Sequence, residues 1–196
     1  MHVLIPDLTS APAKAIARDL EAEGHEVHTC GANVDAYGCA ALAGRRCPLD
    51  VSPVDVCVDV GREDLPMPPS EGARCAVRRR VPTLLVGDVE EGTMLPSVTV
   101  TDRRHAVAAV REMANAPMAE HTAVAAKALL HELRRQGSDS RSGVVEVRRR
   151  AGGLVVDLWL DASISRMQAE RLAAHVAQQV RIHDPWARAL DATVHL

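Results

Sequence analysis

Three cysteines, Cys30, Cys39 and Cys47, fall in one glycine-rich stretch with the spacing C-x8-C-x7-C, and His28 stands two residues before the first of them. Thiolate sulfur and imidazole nitrogen are the donors that hold zinc and, for sulfur above all, iron–sulfur clusters. Cys30, Cys39, Cys47 and His28 are therefore a candidate metal or cluster site, with zinc or an iron–sulfur cluster as its cofactor. The same thiols can serve instead as a redox pair or as small buried fillers. Cys57 alternates with valines and reads as a buried strand residue, and Cys75 follows a proline-rich loop.

The bulk properties narrow the setting for that chemistry. A chain of 196 residues suffices for two small domains. Its aromatic share is 2% with no Phe, so the cores must be built from Ala, Val and Leu. A net charge of -3 argues against a nucleic-acid binder, which needs a basic face. No stretch approaches the roughly 18 apolar residues of a membrane span, so no membrane partner and a cytoplasmic location are expected. Cysteines in that compartment are expected to be reduced.

The elements that must position these residues follow from periodicity. His2 to Pro6 predicts a strand ending at Asp7. Thr9-Ser10 and Pro12 start a helix with Ala13, Ile16, Ala17 and Leu20 on one face and Gly24 at its end. His25 to Thr29, Val54 to Val60, Val81 to Val86 and Val98 to Thr101 predict four more strands, and Asp102 caps a further helix. Alternation of strand and helix predicts a mostly parallel, flavodoxin-like sheet over residues 1–115. The 88–95 connection is too short for a crossover helix.

Asp7 at the end of the first strand and Asp59 near the end of the third give this half a pattern that resembles a bacterial response-regulator receiver. The resemblance implies Asp59 as phosphoacceptor with Asp7 beside it. Pro6 and Leu8 flank Asp7 where that family carries a second acid, Gly87 replaces its hydroxyl residue, and Thr101 or Asp102 its lysine. What is implied is a degenerate receiver.

Residues 116–196 read helix, strand, strand, helix, strand. A helix from Pro117 carries Val124, Ala125, Ala128, Leu129 and Leu133. Val144–Val147 and Leu154–Leu160 form a hairpin over Gly152-Gly153, and Ser165 with Gln168 makes a capping box. The order α-β-β-α-β, with Val155 to Leu160 leading into Ser163-Ile164-Ser165 and closing on Val194-His195-Leu196, resembles the cytoplasmic ferredoxin-like domain of cation diffusion facilitator transporters. That resemblance implies a homodimer and a metal ligand at His195. Glu170-Arg171 stands where the family has a further histidine. Arg78–Arg80 and Arg148–Arg150 read as solvated charge, Trp159 as a core residue and Trp186 as an interface residue.

The fold class expected is α/β plus α+β. The expected function is a non-enzymatic regulatory or adaptor protein, a homodimer with an unidentified protein partner. The alternative is a metal or iron–sulfur redox sensor built on Cys30, Cys39 and Cys47.

Overall fold

The computed structural model describes residues 1–31, 39, 41, 44–61, 66, 68–90, 92–93, 95, 97–137 and 143–196. The predicted linker at 138–142 lies outside them, as does Tyr37. The chain divides into two compact units, Met1–Ala114 and Asn115–Leu196. No helix among the described residues is long and apolar enough to cross a membrane.

In the first unit, strands β1 (His2–Leu4), β2 (Glu26–His28), β3 (Val56–Val60), β4 (Thr83–Val86) and β5 (Val98–Thr101) form one parallel sheet in the order β2-β1-β3-β4-β5. This is flavodoxin-like order, and its direction of winding reverses between β1 and β3. Strand alternation sorts the side chains. Val3, Ile5, Val56 and Val58 face one layer with Ala13, Ile16 and Leu20 of helix α1 (Ala11–Ala22) and with Ala106 and Val110 of helix α4 (Ala106–Asn115). Leu4 and Cys57 face the other layer with Cys30, Val54, Ala76 and Val81. Helices α2 (Pro48–Val51) and α3 (Glu71–Arg78) supply Leu49 and Ala76 to that side.

Local signals set the helix ends. Ser10 accepts from the Ala13 amide at 3.2 Å, Pro12 lies in the first turn of α1, and Gly24 takes a positive φ of 81° beyond its end. Ser70 caps α3 by accepting from the Ala73 amide at 3.1 Å. The residues between β4 and β5 form no helix where described, in keeping with their short span.

In the second unit, helix α5 (Ala119–Arg135) starts two residues later than the periodicity suggests. Strands β6 (Gly143–Arg150), β7 (Gly153–Leu160) and β8 (Leu190–His195) follow, with helix α6 (Arg166–His183) between the last two. The sheet is mixed: β6 pairs antiparallel with β7 across a tight turn, whereas α6 carries the chain back so that β8 runs parallel to β7. The Ser165/Gln168 capping box is present at the start of α6. Val145, Val147, Leu154, Val156, Leu158 and Leu160 meet Leu129, Leu133, Leu172 and Val176 in the core.

Two expectations fail here for the same reason. Trp159 shares its strand face with Val155 and Asp157, opposite to the core-facing set, and is 39% exposed rather than buried. Arg149 shares its face with Val145 and Val147, so of the arginine run 148–150 it is 7% exposed, inside the unit. Period-two alternation overrides residue type in both places.

Candidate functional site

The expected site residues of the first unit lie along the carboxyl edge of its sheet. Asp7 is folded back on its own loop: its carboxylate accepts from the Thr9 amide at 2.8 Å and from Thr9 Oγ1 at 2.9 Å. Asp59 accepts from the Ser70 amide at 2.7 Å and so ties the end of β3 to the start of α3. Burial pushes the Asp59 carboxyl up, hydrogen bonds from Ser70 pull it down, and the charge of Asp7 raises it again. Asp7 and Asp59 are therefore electrostatic neighbours, each with a structural hydrogen bond of its own.

Cys30 follows β2 and is buried against Leu4, Cys57 and Ala76. Cys47 is the N-cap of α2, and Cys75 lies within α3, so three segments bring thiols to one side of the sheet. Burial pushes the Cys30 thiol up to about 12, with the neighbouring Cys47, Cys39 and Cys75 thiols and Asp59 adding to the rise. Cys75 is raised by burial and then by Cys39 and Cys47. The charges of Cys30, Cys39, Cys47 and Cys75 act on one another, and Cys75 is the member that the spacing argument left out. All five cysteines are free thiols. Their sulfurs do not close to the 4.8 Å mutual separation of a ready ligand set among the described residues. A thiol held at about 12 is protonated at neutral pH and a poor nucleophile.

Two groups of His and Glu do close to that separation: His2, Glu26 and His28 in the first unit, and His131, Glu132 and His175 in the second. Parallel pairing places His2 opposite Glu26 and Leu4 opposite His28. Residues two apart share a face, so Glu26 and His28 project beside His2. His2 Nδ1 lies 3.2 Å from His28 Nε2 and 3.3 Å from Glu26 Oε2, and His28 Nε2 lies 3.5 Å from Glu26 Oε1. The backbone of His2 is clamped from behind, its amide donating to Asp55 Oδ2 at 2.8 Å and its carbonyl accepting from the Asp55 amide at 2.8 Å. Burial pushes the His28 imidazole down, Glu26 opposes this, and His2 adds to the fall. His28 thus belongs to a different set from the cysteines with which its spacing grouped it. His2 and Glu26 were missed because register, not proximity in sequence, joins them.

The second group is differently engaged. Glu132 accepts from Arg135 Nε at 2.8 Å, from Arg135 Nη2 at 2.7 Å and from Gln136 Nε2 at 3.0 Å, and the bonds from Arg135 above all hold its carboxyl down to about 2. A cation there would have to displace a guanidinium.

His195 pairs with Asp157 at 3.1 Å and stacks on Trp159 with ring centroids 5.1 Å apart. His121 is buried against Asp184 at 3.1 Å, and Arg149 Nη2 reaches the same carboxylate oxygen at 3.0 Å. This triad joins α5, β6 and the C-cap of α6.

No family model matches this chain, and no curated protein or solved structure matches it.

Proposed function

We propose that the chain is a non-enzymatic regulatory protein in which the second unit pairs two copies and the first, a degenerate receiver-like domain, meets a protein partner. One observation carries this reading: the sheet face of the second unit opposite its helices presents Val144, Trp159 and His195 in a single cross-strand row. Val144 is 61% exposed and Trp159 39% exposed. Aromatic and aliphatic surface in one patch marks an interaction site. The adjoining row holds Glu146 and Asp157, and Arg148 pairs with both. A two-fold interface must complement itself, which a face carrying both signs around an apolar row can do. The expected arrangement is that of the cation diffusion facilitator cytoplasmic domain, with His195 near the pairing axis. Trp159→Glu is expected to shift the chain to monomer in light scattering while its circular dichroism stays unchanged. A dimer that survives the substitution would count against this face.

A second reading is favoured by the thiols alone: a soft metal or iron–sulfur cluster held by Cys30, Cys39 and Cys47, with Cys75 as fourth ligand. Metal binding expels the thiol protons, so a raised thiol is compatible with a ligand where it is not with a nucleophile. Tag-free protein purified without oxygen is then expected to carry near-stoichiometric iron that the Cys30→Ser/Cys39→Ser/Cys47→Ser variant lacks, or one equivalent of zinc more than that variant. Colourless protein without metal would remove this reading and leave the first intact.

A further inference from the structure

We infer that His2, Glu26 and His28 form a binding site for a zinc-class divalent cation, separate from the thiols. Zinc bound at about 2.0–2.1 Å by tetrahedrally disposed donors sets those donors roughly 3.3–3.4 Å from one another. The two imidazole nitrogens lie 3.2 Å apart, and Glu26 reaches His2 Nδ1 through Oε2 at 3.3 Å and His28 Nε2 through Oε1 at 3.5 Å, with one ligand atom from each residue within 4.8 Å of the other two. The donor types agree as well, since two imidazoles and a carboxylate suit zinc and its first-row neighbours better than magnesium or calcium, which take all-oxygen shells.

The site is also built rather than incidental. Its three side chains come from two paired strands whose register fixes their spacing. Asp55 holds the His2 backbone through reciprocal hydrogen bonds, which fixes the strand position that carries the imidazole. Both described partners of the Glu26 carboxylate are these two histidines, so a cation would replace contacts within the set without breaking a guanidinium pair as at Glu132. Three protein donors leave a fourth position for water or an exchangeable ligand, the pattern of an open site.

Calorimetric titration of zinc into tag-free protein with Cys30, Cys39, Cys47 and Cys75 replaced by serine tests this without interference from sulfur. One equivalent is expected. Glu26→Gln and His28→Ala should each weaken it by more than the roughly 10–100-fold that outer partners are worth, and His131→Ala should leave it unchanged. Should the serine variant fail to fold, Glu26→Gln in the otherwise wild-type chain is expected to lower the zinc stoichiometry by one; Glu26 is exposed, so this change spares the core. No zinc binding, or binding indifferent to both Glu26→Gln and His28→Ala, would overturn the site. Neither outcome bears on pairing through the second unit, which rests on other residues.

Discussion

Replacing Asp184 with alanine is expected to destabilise the C-terminal unit by about 3–5 kcal/mol, the usual cost of removing one partner from a buried ion pair. Asp184 is fully buried, and three groups depend on it: Arg149, His121 and the Trp186 amide, which donates to Oδ1 at 3.1 Å. Without the carboxylate, Arg149 is a buried cation whose chief counter-charge is gone. The Gly152 carbonyl, which accepts from Arg149 Nη1 at 3.3 Å, is neutral and does not replace that charge. Thermal melting followed by circular dichroism should show a midpoint lower by on the order of 10 °C or more for a unit of this size. A fall of only a degree or two would mean that water reaches Arg149.

The same carboxylate sets a pH dependence. Burial raises the Asp184 carboxyl, but the hydrogen bond from His121 and the charge of Arg149 outweigh it, and the net shift is downward. A carboxyl lowered in the folded state stabilises above its unfolded pKa, and that contribution is lost as pH falls through the folded value. Wild-type stability should therefore drop in acid more steeply than that of Asp184→Asn.

Gly72→Ala is expected to cost about 1–3 kcal/mol, the usual price of overpacking, although alanine favours a helix by nearly 1 kcal/mol over glycine. A β-carbon at position 72 would lie 2.4 Å from Pro6 Cβ and 2.8 Å from its Cγ. The proline ring cannot rotate away, so either α3 or the end of β1 must move. Cys30 Sγ is 3.3 Å from the same point, and the displacement should open its pocket. Denaturant melts and the rate of thiol modification read the two effects. An unchanged midpoint with an unreactive Cys30 would mean that α3 is less closely seated than its packing indicates.

The strands of the first unit were readable because Val54 to Val60 and Val98 to Thr101 alternate, and α1 because Ser10, Pro12 and Gly24 bracket a clean apolar face. Helix α3 escaped the reading because Gly72 interrupts its pattern and prolines precede it; its burial comes from tertiary contact with Pro6, which no local pattern encodes. Trp159 and Arg149 are instructive in the opposite way. Alternation already placed Trp159 with Asp157 and Arg149 with Val147, and residue type misled where periodicity was right. The His2, Glu26 and His28 set could not be assembled from sequence, because Glu26 lies opposite His2 only once β1 and β2 pair in parallel. The Glu26-x-His28 alternation on one strand was the available trace of it.

The central claim, that the second unit pairs two copies of the chain, is tested most directly by the mass of tag-free protein in solution. Light scattering behind a sizing column, run over a range of concentrations, should give twice the chain mass of 21.0 kDa. A mass of 21.0 kDa at every concentration would contradict it.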